Sequence, residues 1–182
     1  MTSTNQNIEQ LLQLCQSGNQ RAQLEIYNRY NKAMYNTAIR IVKDSFKAED
    51  IMQESFLTAF TKLNTLQDTN LFGAWLKRIV VNNSIGYYNK AVKQNEVPLD
   101  NVIYKVEDDN GINETEQHSE KVKLILDAMK TLKPNYSLSL SLHLIEGYDY
   151  EEIGEIMNLS YANCRTLISR AKESLRKKLV LN

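Results

Sequence analysis

The most constraining feature of this sequence is its helical periodicity. Apolar side chains recur at steps of three and four residues along most of the chain, and only 6 Gly and 2 Pro among 182 residues interrupt them. This spacing places apolar side chains on one face of an α-helix. Residues Ser137 to Leu142 alternate as a half-buried strand would, but they also fit a helix, and no second strand is available nearby to pair with them. We therefore predict an all-α fold.

Apolar spacing and cap residues set the expected helices. In the first half, two helices should precede Asp44, a third should start there, and a fourth should run from Phe72 to about Lys93. The inner face of the third helix is predicted to hold Ala48, Met52, Phe56, Ala59 and Leu63. In the second half, Pro134 suits the first turn of a helix and Gly147 suits a helix end.

The distribution of charge predicts two domains. Residues 1–95 carry 11 Lys and Arg against 7 Asp and Glu, residues 96–120 carry 1 against 8, and residues 121–182 carry 10 against 7. We expect two small helical domains, 1–95 and 116–182, joined by a flexible acidic linker at 96–115, with both domains facing nucleic acid. A solvated loop between two halves of a single domain also fits these charges.

Several classes of protein are disfavoured by composition. No window has the apolar length that a membrane span needs, and the N-terminus lacks the pattern of a secretory signal. Cys15 and Cys164 are far apart in helical patterns, so we expect two buried thiols and neither a disulfide nor a metal site. We expect a cytoplasmic protein without membrane insertion.

A helix-turn-helix is predicted near the C-terminus. Asp149 and Glu152 have the spacing of a capping box, Asn158 suits a left-handed turn position, and Ser160 can cap a second helix. Gly154 would allow two helices to cross closely. The buried face of the second helix should contain Cys164, Leu167, Ile168, Ala171 and Leu175. Such a motif places its second helix in the major groove of DNA.

The outward face of that second helix carries side chains that can bind DNA. The side chains are of types that can form hydrogen bonds with the phosphates and base edges of DNA. They are Tyr161, Asn163, Arg165, Thr166, Ser169 and Arg170. Residues 160–182 contain 6 Lys and Arg against 1 Asp and Glu. A solvated helix in an ordinary bundle fits the pattern about equally well.

Two long segments resemble one protein family. The segment LKPNYSLSLSLHLIEGYDYEEIGEIMNLSYANCRTLISRAKESLRKKL is similar to the promoter-binding region of the extracytoplasmic-function group of sigma-70 factors. AEDIMQESFLTAFTKL, followed by FGAWLKRIVVNNSIGYYNK, is similar to the core-binding and promoter-melting region of the same group. The resemblance covers nearly the whole chain in the family's order. It implies an alternative sigma factor that binds RNA polymerase core and promoter DNA.

The resemblance assigns roles to residues of the first domain. Asp50, Gln53 and Glu54 on the third helix would dock on the clamp helices of the largest polymerase subunit, although composition alone favours a merely solvated face. Residues implied in melting and in binding the minus-ten element are Trp75, Lys77, Arg78 and Asn82. For Trp75 a core position is the competing interpretation. Asn82 would help line a pocket for a flipped base, completed by residues 67–73.

The sequence departs from the family at several positions. Gly86 and Asn89 stand where relatives usually have Asp and Arg, so the melting helix is less charged than usual. Leu167 and Ser169 stand where many relatives have Arg or an aromatic residue. The promoter sequence therefore cannot be taken from a relative.

Other functions stay open beside the sigma factor. A stand-alone helix-turn-helix regulator would need neither the acidic face nor the melting segment, and a degenerate relative could keep only protein binding. An enzyme acting on nucleic acid is disfavoured, because no catalytic arrangement, metal cluster or nucleotide loop is found and His143 suits a structural position. We expect no cofactor. The resemblance implies the polymerase flap as a further contact and leaves open an anti-sigma factor as a partner.

Overall fold

The computed structural model describes residues 7–93 and 116–180. The chain divides into two compact units, Met1–Asp109 and Asn110–Asn182. Every regular element in the described ranges is helical, which confirms the all-α fold class. The division falls inside the segment predicted as a linker. That segment lies outside the described residues, so its flexibility and the domain bounds stay predictions.

Within residues 7–93, the first unit is a bundle of four helices with two short 3-10 turns. Its helices are α1 (Ile8–Gln16), α2 (Gln20–Val42), α3 (Ser45–Thr61) and α4 (Phe72–Lys93), and its 3-10 turns are Leu63–Thr65 and Thr69–Leu71. The Asn19 side chain caps α2 by accepting hydrogen bonds from two backbone N–H groups. Asp44 caps α3 in the same way, at the predicted start, through the N–H of Lys47 at 3.0 Å.

The core of the first unit lies between α2, α3 and α4. Each of these helices packs against the other two, and α1 packs on α2. Ile26, Ile39 and Phe72 are fully buried there, and the Tyr30 ring meets the edge of Phe72 with 5.3 Å between centroids. The predicted inner face of α3 and its extension is buried throughout. Cys15 on α1 is buried in this unit, and burial raises the pKa of its thiol to about 11.

The second unit is a smaller helical bundle. It contains α5 (Glu116–Lys130), α6 (Pro134–Leu140), a π-helical turn (Ser141–Ile145), α7 (Tyr150–Met157) and α8 (Tyr161–Val180). Its core contains Leu140, Ile153 and Ile168, each fully buried. Cys164 on α8 is buried beside them, and burial raises the pKa of this thiol as well. The second half of the chain thus forms a hydrophobic core of its own.

The ambiguous segment Ser137–Leu142 is helical, as predicted. All six residues are buried, because the serines also face the inside and Ser139 donates to the carbonyl oxygen of Tyr136 at 3.1 Å. Pro134 occupies the first turn of α6. The π turn was not predicted, and the segment then ends at Gly147, whose φ of 80° is in the left-handed region.

Candidate nucleic-acid and protein interfaces

The helix-turn-helix predicted from sequence is present between α7 and α8. Asp149 accepts from the N–H of Glu152 at 2.8 Å, and the Glu152 carboxylate accepts from the N–H of Asp149 at 3.0 Å, which completes the capping box. Asn158 ends α7 with φ 55° and ψ 50°. Ser160 caps α8 by accepting from the N–H of Asn163 at 3.3 Å. These local bonds fix where the second helix begins.

Gly154 allows the turn to close onto α7. A Cβ atom at this position would lie 2.9 Å from the carbonyl oxygen of Leu159, and the Leu159 N–H donates to the Gly154 carbonyl oxygen at 2.8 Å. The sequence predicted that a small residue would be needed where two helices cross. The atom that would contact a side chain at Gly154 belongs to the backbone of the turn, and not to the crossing helix.

The two faces of α8 differ as predicted, except that Leu167 lies at the edge of the buried face. Cys164, Ile168, Ala171 and Leu175 are buried, and Leu167 is half-buried. All six predicted DNA-facing residues of α8 are exposed. A shallow groove on this face is lined by Tyr161, Ala162, Arg165, Thr166, Ser169 and Arg170. Asn163 does not line that groove. Ala162 does line it but was not predicted, because alanine has no polar group that could indicate DNA binding.

Hydrogen bonds within α8 limit which groups can bind a ligand. Thr166 Oγ1 donates to the carbonyl oxygen of Ala162 at 2.9 Å. Farther along, Lys177 Nζ lies 2.9 Å from Glu173 Oε1 and holds the pKa of that carboxyl below its ordinary value. This exposed acid therefore already has a cationic neighbour on the same helix.

The acidic face of α3 is exposed and is wider than predicted. Asp50, Gln53 and Glu54 are all exposed. Phe46 and Leu57 lie one turn to either side and are 80% and 68% exposed. Steps of three and four residues put these five side chains on one helix face. Exposed large apolar groups beside acids are typical of a protein interface. The sequence could have indicated them, since neither fits the predicted inner face.

Three of the four predicted melting residues share one stripe of α4. Trp75, Arg78 and Asn82 follow steps of three and four residues, whereas Lys77 lies about 200° around the helix from Trp75. Trp75 is half-buried, with its ring centroid 6.0 Å from that of Phe72, so it belongs partly to the core. Arg78 is half-buried and Asn82 is exposed.

The stripe continues toward the C-terminal end of α4 through the atypical residues. Gly86 and Asn89 are both exposed and follow Asn82 at steps of four and three residues. The substitutions that make this helix less charged than usual therefore lie on the stripe that carries Asn82. Before the helix, the loop implied in the pocket contains the 3-10 turn, capped by Asp68 accepting from the N–H of Asn70 at 2.9 Å.

Other possible sites in the described residues are structural. His143 is half-buried, with Nδ1 3.0 Å from the carbonyl oxygen of Tyr148 and its ring 5.0 Å from that of Tyr150. Within 7–93 and 116–180, no group of three or more His, Cys, Asp or Glu could hold a metal ion. Among these same residues, no helix is long and apolar enough to cross a membrane.

Comparison with known proteins identifies the family. Residues 26–94 match the family described as sigma-70 region 2, and residues 123–175 match the family described as sigma-70, region 4. Together these matches cover about two thirds of the chain, one in each unit. The chain belongs to the sigma-70 family. The first match contains all the α3 and α4 candidate residues, and the second contains the helix-turn-helix.

Relatives of similar length include named extracytoplasmic-function sigma factors, the group to which this chain belongs. It is 28% identical to the extracytoplasmic-function sigma factor SigM of Bacillus subtilis, with 84% of this chain and 91% of SigM covered. It is 28% identical to SigW of the same organism, with 94% and 96% covered. It is also 26% identical to the sigma-H factor of Pseudomonas aeruginosa, with 97% and 95% covered.

Two solved structures share the fold of this chain. The sigma factor RpoE of Bartonella quintana, in a complex with the anti-sigma factor NepR, aligns with a TM-score of 0.59 at 19% identity, over 87% of this chain and 96% of RpoE. CnrH, in a complex with the cytosolic domain of CnrY, aligns with a TM-score of 0.55 at 21% identity, over 94% and 96%. At these identities the likeness concerns the fold alone.

Proposed function

We propose that this chain is an alternative sigma factor that binds core RNA polymerase and directs transcription initiation at particular promoters. The observation that carries the proposal is that one chain contains both region 2 and region 4 of the family, in that order. Each unit also has an exposed face of suitable chemistry. Sigma factors are non-enzymatic initiation factors, and we propose that this one acts in the cytoplasm, where the polymerase is.

The α3 face is the proposed contact with core polymerase. Asp50, Gln53 and Glu54 would meet basic groups of the clamp helices, while Phe46 and Leu57 would bury apolar area on either side. An apolar contact beside charged groups supplies affinity, whereas the charges supply encounter rate and specificity. The exposure of Phe46 and Leu57 supports this role over a merely solvated face, because exposed large apolar groups are not needed in a solvated face.

The α4 stripe is the proposed contact with melted promoter DNA. Arg78 can hold a backbone phosphate, and the half-buried ring of Trp75 can offer an edge to a base. Asn82 is exposed and has both a donor and an acceptor for the edge of an extruded base. We propose that Lys77 contacts a phosphate only if a DNA strand passes on the opposite side of α4.

The proposed domains are region 2 at 1–95, a linker at 96–115 and region 4 at 116–182.

The exposed face of α8 is the proposed contact with the minus-thirty-five element. Its groove combines two guanidinium groups with hydroxyl and methyl groups, which suits the phosphates and base edges of the major groove. Arg165 is near the start of the helix, the part that enters the groove deepest in this motif. Arg170 is farther along and suits a phosphate. The polymerase flap and an anti-sigma factor are further proposed partners of this chain.

Transcription in vitro tests the proposal directly. The full chain is mixed with core polymerase and a library of promoter fragments, and the products are sequenced from their 5′ ends. A sigma factor gives transcripts with common starts and shared upstream elements, and none without the chain. A stand-alone regulator would bind DNA without starting transcripts on core polymerase. A degenerate relative that keeps only protein binding would bind core and give no transcripts.

A further inference from the structure

Two methyl-bearing side chains occupy the middle of the exposed face of α8. Ala162 and Thr166 are four residues apart, so they lie one above the other on the helix, and both are exposed. They also line the same groove. Because Thr166 Oγ1 donates to the carbonyl oxygen of Ala162 at 2.9 Å, its one hydroxyl proton is already used inside the helix. Thr166 therefore offers a ligand its methyl group and an acceptor oxygen.

Polar side chains lie on both sides of this methyl pair. Arg165 and Ser169 are four residues apart and line one side of the groove, while Arg170 lines the other. The face opposite them is the buried one, centred on Cys164 and Ile168. The helix thus presents an apolar centre between groups that can hydrogen-bond. A ligand that matches this face has an apolar group between hydrogen-bonding edges.

The major groove of DNA contains one apolar group of this kind, the C5 methyl of thymine. Alanine and threonine methyl groups are the side-chain groups that contact it. We infer that Ala162 and Thr166 recognise the C5 methyl of a thymine, on either strand, within the promoter element that α8 binds. This inference rests on the proposed minus-thirty-five contact and adds to it the base at the centre of the contact.

Replacing thymine by deoxyuridine tests the inference, because it removes only the methyl group. Holoenzyme formed from the full chain and core polymerase first selects fragments from a pool randomised in the minus-thirty-five region. Each thymine of the selected element is then replaced in turn. At one position the wild-type holoenzyme should bind roughly fourfold more weakly, the change expected for loss of one buried methyl-sized contact.

Two variants of Thr166 test whether its methyl group makes the contact with the thymine methyl. Thr166→Ser keeps a hydroxyl that can donate to the Ala162 carbonyl but lacks the methyl, so most of the preference for thymine over deoxyuridine should disappear. Thr166→Val keeps a methyl at this position and lacks the hydroxyl, so the preference should persist. Both substitutions are at an exposed position, and unchanged thermal unfolding would show that the fold is intact.

The possible failures are distinguishable. If no sequence is selected, the minus-thirty-five contact is wrong and thymine recognition is wrong with it. If a sequence is selected but deoxyuridine is tolerated at every thymine, or the element contains no invariant thymine, only the thymine inference is overturned. A deoxyuridine penalty that persists undiminished in Thr166→Ser would assign the contact to another side chain and overturn the inference as well.

Discussion

Asn83 on α4 donates a 3.0 Å hydrogen bond from Nδ2 to Ser55 Oγ on α3. Ser55 is fully buried and donates in turn to the carbonyl oxygen of Ile51 at 2.6 Å. This pair joins the helix proposed to bind polymerase to the helix proposed to hold melted DNA. The neighbouring Asn82 is exposed, so Asn83 faces α3 whereas Asn82 faces solvent.

Asn83→Ala should lower the free energy of unfolding of the first unit by about 1–2 kcal/mol, because it removes a partly buried hydrogen bond between two helices. Chemical denaturation measures the effect. Asn82→Ala is the matched control, since Asn82 is exposed on the same helix and should change stability by less than about 0.5 kcal/mol. Equal destabilisation by both variants would contradict a structural role specific to Asn83.

Asn82→Ala should impair promoter opening more than binding to closed duplex. Asn82 is expected to contact a base only after that base has left the stack. Permanganate reactivity of the melted thymines measures opening, and retention of labelled duplex by holoenzyme under conditions that keep it closed measures binding. Parallel losses in both assays would point to a structural role instead.

Reversing charge on α3 should weaken binding to core polymerase. For Asp50→Lys with Glu54→Lys we expect a loss of a few kcal/mol in binding free energy and an unchanged fold, because both side chains are exposed. Leu57→Ser should also weaken binding, through lost apolar contact, and its effect should depend less on salt.

Glu9→Lys on α1 is the control for the charge reversal, since this acid is exposed in the same unit but lies off the α3 face. Affinity for labelled core polymerase is measured at two salt concentrations for every variant. The docking face would be wrong if the α3 variants bound core as tightly as Glu9→Lys does.

Arg165→Ala and Arg170→Ala should change DNA binding in different ways. Loss of Arg165 should cost about 1–3 kcal/mol at the preferred element and relax the preference at one base position. Loss of Arg170 should weaken all sequences alike and lower the salt slope by about one. Selection from randomised minus-thirty-five sequences, with binding titrations in salt, separates these outcomes. Undiminished affinity and preference in Arg165→Ala would show that a different face enters the groove.

Gly154→Ala should destabilise the second unit by about 1–3 kcal/mol, because the added Cβ would lie 2.9 Å from the backbone oxygen of Leu159. Thermal unfolding measures the change. Gly86→Ala is the control, since a Cβ at Gly86 on α4 meets nothing within 4 Å and alanine favours a helix. An unaltered melting temperature in Gly154→Ala would mean that the turn moves aside at little cost.

Features set by neighbouring residues were predictable from the sequence. The capping box of Asp149 and Glu152, the left-handed Asn158 and the cap at Ser160 depend on residues within one turn of one another. The burial pattern of α8 followed from its helical period in the same way. The helical state of Ser137–Leu142 follows from the sequence, because no second strand is predicted nearby to pair with the segment, and the structure confirms it.

Features that depend on contacts between distant residues or on a side-chain rotamer were not predictable from the sequence. The bond between Asn83 and Ser55 joins residues 28 positions apart, and no local pattern indicates it. The separation of Lys77 from Asn82 around α4 follows from the helical period, but the family resemblance gives both residues a DNA-binding role regardless of it. Thr166 was predicted as a hydrogen-bonding side chain, yet its proton is used within the helix, which depends on a rotamer that the sequence does not specify.

Each half of the molecule carries one thiol, and both thiols are shielded: Cys15 in the first unit and Cys164 in the second. The thiolate is the form that attacks thiol reagents, so burial together with the raised pKa protects each cysteine until its own unit opens. The two native cysteines can therefore report on the unfolding of each unit without any added label site. The rate at which each cysteine is labelled, resolved by peptide mass, measures how often that half unfolds, with promoter DNA or polymerase absent or bound.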